Sequence, residues 1–192
     1  MEKTQIHDQS SAELIKSSLL GEGGKIKGRY HFECRDKDGN LKWEDTIENL
    51  ITTLGKNLEL DTLLAGSAYS VTGPFMGLSG AETTGPAAGD TMASHGGWTE
   101  AGAGQTPDYS GTRKTAVFSA AAAGVKALTA ALTFTFTEGG TVYGAFIVLG
   151  TGAVATKEDA NGVLYSIGDF TGGDKTVADT DVLNVSWQVT LT

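Results

Sequence analysis

Asp90, Ser94 and His95 bring the residue types of a hydrolase triad into one short stretch of the chain. Residues this close within one turn rarely achieve triad geometry, and no strained nucleophile elbow surrounds Ser94. The expected work of His95 is hydrogen bonding that holds the loop. Gly150-Thr151-Gly152-Ala153-Val154-Ala155 matches a loose dinucleotide pattern, with Asp169 near the distance of a ribose-binding acid. That chemistry needs a helix N-terminus aimed at the pyrophosphate. The residues that follow, Thr156 to Gly162, read as a surface loop instead. Asp36-x-Asp38-Gly39-Asn40 resembles a calcium loop only at a glance, because its glycine stands too early and no bidentate glutamate closes it. A hairpin turn is the expectation. His7, His31, His95 and the lone Cys34 show no metal-ligand spacing. No catalytic, cofactor-binding or metal-binding residue is assigned, and the chain is read as a non-enzyme without a cofactor.

Elements with little chemistry of their own surround these stretches. Residues 1–25 read as a helical N-terminal arm. Ser10 and Glu13 form a capping box, Leu14, Ile15, Leu19 and Leu20 supply a narrow apolar stripe, and Gly21 stops it. So short a helix is marginal alone in water, so the arm is expected to order against a partner chain, with Leu14, Ile15 and Leu19 as contacts. Residues 26–192 read as a single β-rich domain. Ile26, Gly28, Tyr30, Phe32 and Cys34 share a strand face, and Asp38-Gly39 turns the chain into a second strand. The spacing of Ile47, Leu50, Ile51, Leu54 and Leu58 predicts one helix near 47–65, weakened at Gly55. A short strand is expected at Pro74–Leu78, and one helical turn capped by Asp90 at 90–95. Trp98 and Tyr109 are expected to pin the irregular stretch between Ala81 and Ser110 to the body. Further strands fall at Leu132–Thr137, at Thr141–Leu149 with both faces buried, and at Val163–Ile167. In the last, Leu183, Val185, Trp187, Val189 and Leu191 alternate with uncharged polar residues that suit a wet contact between proteins. The fold class expected is mostly β, an antiparallel β-sandwich or jelly-roll-like architecture.

Composition narrows the function. The chain has 192 residues and a formal net charge of -9, which argues against wrapping nucleic acid. One cysteine excludes an intrachain disulfide. The opening residues lack the apolar run of a signal peptide, and no apolar run has the length of a membrane span. Synthesis in a cytoplasm is the expectation, with no membrane partner.

Several stretches carry a resemblance when taken in order: Glu48-Asn49-Leu50-Ile51-Thr52-Thr53-Leu54-Gly55-Lys56-Asn57, then Leu63-Leu64-Ala65-Gly66-Ser67-Ala68-Tyr69, then Phe75-Met76-Gly77-Leu78. Asp90-Thr91-Met92-Ala93-Ser94-His95, Gly97-Trp98-Thr99-Glu100 and Tyr109-Ser110-x-Thr112-Arg113 continue it. Phe118 to Gly124 and Phe170-Thr171-Gly172-Gly173-Asp174-Lys175 complete the set. Over residues 27–192 the chain resembles a family of small structural proteins of tailed bacteriophages, encoded among the head genes. The resemblance implies a virion protein made in the host cytoplasm. It implies a capsid cement or decoration protein that binds the major capsid protein and forms a homo-oligomer on the capsid surface. No catalytic residues carry over. The alternative is a head or tail fibre or connector module that binds other virion proteins, or host glycans through Trp98 and Tyr109.

Overall fold

The computed structural model describes residues 25–64, 72–102 and 104–191. The arm residues Leu14, Ile15 and Leu19 lie outside the described residues. The chain is mostly β, an antiparallel sheet curled into a half-barrel with one helix among the described residues.

The curl begins at the first hairpin. β1 (Ile26–Arg35) and β2 (Leu41–Ile51) pair antiparallel around Asp36–Asn40. Asp36 Oδ1 accepts from the Asp38 and Asn40 N–H groups at 2.9 Å each, and Gly39 takes a φ of 85° that a side chain would resist. β2 runs longer than the sequence spacing suggested. Ile47 and Ile51 are buried on one strand face, and Leu50 pairs with Ile167 of the next wall. A spacing of four satisfies a strand as well as a helix, so Ile47 and Ile51 could not discriminate between the two. The helix near 47–65 is thereby corrected to α1 (Thr53–Leu64). Thr52 caps it, its Oγ1 accepting from the Gly55 N–H at 3.0 Å. Gly55 is there for space: a Cβ would stand 2.5 Å from the Tyr165 carbonyl oxygen.

β2 is the corner strand between two walls. On one side β1 pairs with β13 (Val182–Leu191), which pairs with β8 (Leu132–Glu138) and β7 (Val125–Ala127). On the other, Leu50 and Ile51 pair with β11 (Val163–Asp169), then come β10 (Gly144–Leu149) and β3 (Phe75–Glu82). β4 (Trp98–Glu100) and β6 (Lys114–Thr115) edge that wall, and β5 (Asp108–Tyr109) edges β8. β9 (Gly140–Val142) and β12 (Lys175–Val177) form a separate pair. β3 extends the expected strand at Pro74–Leu78 as far as Glu82. The helical turn expected at 90–95 is instead a tight β-turn closed by a Thr91–Ser94 bridge. The Asp90 carboxylate is drawn away from the N–H groups it would have capped, because Ala87 N–H and the Trp98 indole occupy it.

The main core lies between the walls. Tyr30, Phe32, Phe134, Ile147, Val185 and Trp187 meet there, with Leu183, Met76 and Leu78. Tyr30 donates to or accepts from Ser166 Oγ at 2.8 Å, and the Trp187 indole donates to Asn49 Oδ1 at 3.2 Å. The polar ends of Tyr30 and Trp187 therefore have partners within the core. β10 has two buried faces, as its unbroken apolar run predicted: Ala145 and Ile147 enter this core, while Phe146 and Val148 enter a second one with Met92, Trp98, Ala153 and Leu164. Removing a large buried ring leaves both lost transfer energy and a cavity. Trp187→Ala should therefore cost about 3–5 kcal/mol in urea unfolding. Val117→Ser, at a side chain 59% exposed, should stay within about 0.5 kcal/mol of the wild type.

Candidate interaction surface

His7 lies outside the described residues; among those described, the stretches singled out for chemistry are engaged structurally. The Asp90 carboxylate is held by Ala87 N–H and the Trp98 indole, while His95 Nδ1 lies 2.9 Å from the Trp98 carbonyl oxygen and so donates to it. His95 also stacks on Trp98, with centroids 3.9 Å apart. Asp90, Ser94 and His95 thus form no relay. Gly150 and Gly152 take φ values of 91° and 84° in the loop between β10 and β11, and no helix follows them. His31 bonds Thr46 Oγ1 across the first hairpin at 3.0 Å. Cys34 is buried, and burial, with Asp181 nearby, pushes its thiol up to about 11. No group of three or more His, Cys, Asp or Glu among the described residues is placed to hold a metal ion. No helix among them is long and apolar enough to cross a membrane.

Trp98 and Tyr109 are loop anchors with 2% and 1% exposure. Tyr109 packs edge-on to Phe134 at 5.0 Å, with the Lys157 ammonium 3.8 Å over its ring. Neither ring presents a face on which a sugar would stack.

A buried ion pair, which the sequence did not signal, ties these loops together. Arg113 and Glu100 side chains are 0% and 3% exposed. Arg113 Nε donates to Glu100 Oε1 at 2.9 Å and Nη2 to Oε2 at 2.7 Å, a two-pronged fit. Its other N–H groups reach the Val154 and Asp159 carbonyls, and Glu158 N–H donates to Glu100 Oε2 at 2.7 Å. Lys157 adds a bond to Asp108 Oδ1 at 2.6 Å.

An open apolar surface lies elsewhere. α1 and the β7–β13 edge bound a pocket of about 510 Å³, with Leu58, Phe118, Ile147, Leu149, Trp187 and Val189 in its walls. A second pocket of about 470 Å³ continues it past Ile26, Leu60, Val125 and Leu191. Glu59, Lys126 and Val189 line both, so the two form one trough. Leu60 and Leu191 are 55% and 60% exposed, a lapse in burial that a binding surface explains. Tyr165, on the floor, donates its hydroxyl hydrogen to Glu59 at the rim. The trough draws residues from distant parts of the chain, and no local pattern could announce it. Comparison with protein-family models, curated proteins and solved structures returns no significant match.

Two outcomes follow from the buried charges. Arg113→Met leaves Glu100 buried and unpaired and should cost about 3–5 kcal/mol in chemical denaturation. The double variant Arg113→Met/Glu100→Leu should recover most of that loss. Asp169 behaves differently: burial, then Glu82 beside it and Asp174, push its carboxyl up from 3.8 to about 7. The native state thus holds a proton that the unfolded chain releases, so this group's contribution to stability falls as pH rises from about 4 to about 7. Asp169→Asn should unfold at a higher urea concentration than wild type at pH 8, with the advantage shrinking toward pH 4.

Proposed function

We propose that this chain is a structural protein of a tailed-bacteriophage head, of the capsid cement or decoration type, which binds the shell of major capsid protein and stabilises it. The run of motifs from Glu48 to Lys175 supports the phage reading. On this reading the two walls closed over one core correspond to the sandwich or jelly-roll-like module such a protein needs.

The geometric observation that carries the reading is a rigid antiparallel scaffold with an apolar trough open beside the start of β1. Asp90 and His95 hold a loop in place at the earlier candidate positions, and the Arg113–Glu100 pair holds others. Association would then proceed by apolar burial and arm contacts, with many copies on a shell multiplying weak individual contacts. Partners on this reading are the major capsid protein and further copies of this chain.

Capsids assembled without this protein provide the test. Purified full-length chain should co-sediment with them to saturation and raise the temperature at which the shell comes apart. Mass spectrometry of virions should find it in a copy number comparable with the major capsid protein. A chain that neither binds such capsids nor occurs in virions is not a cement protein.

A further inference from the structure

We propose that the trough between α1 and the β7–β13 edge is the seat of this chain's own N-terminal segment, residues 10–20, docked in the same copy. This goes beyond the phage-head reading, does not depend on it, and concerns the free chain.

The place where the described chain begins is the first argument. Ile26, which opens β1, is itself part of the trough wall, beside Leu60 and Leu191. Everything N-terminal to it is therefore tethered at the rim. Five residues lie between Leu20 and Ile26, so the tether can span roughly 20 Å when extended. A helix over residues 10–20 would be about 15 Å long. The segment can thus turn back from Ile26 and lie along the trough without strain on the tether.

Chemistry supplies the second argument. The segment pattern places Leu14, Ile15, Leu19 and Leu20 on one stripe. Alone such a short helix is marginal, but packing of an apolar face is what stabilises helices of this length. The trough offers the matching surface: Leu58, Leu149, Trp187 and Val189 in its walls, and exposed Leu60 and Leu191 at the end beside Ile26. Covering each of these large apolar side chains removes apolar surface from water and favours docking. Glu59 and Lys126 at the rim are of opposite sign, as are Glu13 and Lys16 on the segment. A tethered ligand also competes at a high effective concentration, which favours the chain's own segment over a neighbour's.

The native protein already carries the probes. Lys16 belongs to the segment and Lys126 lines the trough. Treatment of dilute full-length protein with an amine-reactive crosslinker, followed by peptide mass spectrometry of the monomer band, should give a Lys16–Lys126 link. The variant Leu14→Asp/Ile15→Asp/Leu19→Asp keeps both lysines and the tether but removes the apolar stripe. Its link should fall roughly tenfold or more, the loss expected when well over 1.4 kcal/mol of docking is removed. As the substitutions lie before β1, unchanged circular dichroism of the β body will show that the domain is intact. A link of equal yield in the variant would reflect tethering alone and would overturn the proposal. So would a Lys16 link that appears only in a dimer band, or that maps to lysines away from the trough. Whether the protein binds capsids is read separately by co-sedimentation, in which the shell would have to displace the segment from the trough.

Discussion

Arg113 and Glu100 are charged groups held out of water, and each is tolerable there only while the other stays in place. Their mutual attraction offsets desolvation because the geometry is two-pronged and the remaining donors also find acceptors. Those acceptors are the Val154 and Asp159 carbonyls, so the pair positions more than itself. It fixes the β4 edge, the loop after β10 and the chain approaching β6. With Lys157 clamped between Asp108 and the Tyr109 ring, the same loop is also held to the β5 edge.

That anchoring matters because of what the loops cover. β3, β10 and β11 bury side chains on both faces, and a two-faced wall needs cover on its outer side as well as its inner one. Trp98, Met92 and Ala153 provide it, standing over Phe146, Val148 and Leu164. The Arg113 guanidinium lies 5.5 Å from the centre of the Phe146 ring, so the ion pair borders the apolar layer it helps to keep closed. On the inner side β2 turns the corner, pairing first with β1 and then, through Leu50 and Ile51, with β11. A curled sheet of this kind closes over the main core but leaves a gap beyond its β7–β13 edge. α1 stands at that gap, and the trough lies between them.

Much of the strand content was legible. Leu183, Val185 and Trp187 alternate with polar residues and are buried as the alternation requires. The Asp36–Asn40 turn was readable because Asp and Gly meet a local backbone need. Of the strand expected at Thr141–Leu149, the part Gly144–Leu149 has cover on both faces, whereas Thr141 and Val142 fall in β9 and pair with β12 instead. The boundary of α1 was not readable in the same way. Ile47 and Ile51 fit either period, and only the pairing of β2 with β11 extended the strand to Ile51. Thr52 then became a cap because the strand ended beside it. At 90–95, the types of Asp90, Ser94 and His95 were plain, yet their orientation was set by a buried indole eight residues from Asp90.

By itself the sequence determined the things that depend on near neighbours or on counting: strand periodicity, the hairpin turn, the loop-forming glycines and the absence of an intrachain disulfide. For Trp98 and Tyr109 it left two uses open, anchoring the irregular stretch or contacting a ligand, and it is their burial in the tertiary structure that matches anchoring. Only the tertiary structure decided which charges were buried together, because Glu100 and Arg113 meet through strand edges that sequence spacing does not encode. The same holds for the trough. Leu58, Phe118, Leu149, Trp187 and Val189 become one apolar surface only when the sheet curls and the helix stops short of its far edge. Local patterns record which face of an element avoids water, whereas the partner for that face is chosen by the whole chain at once.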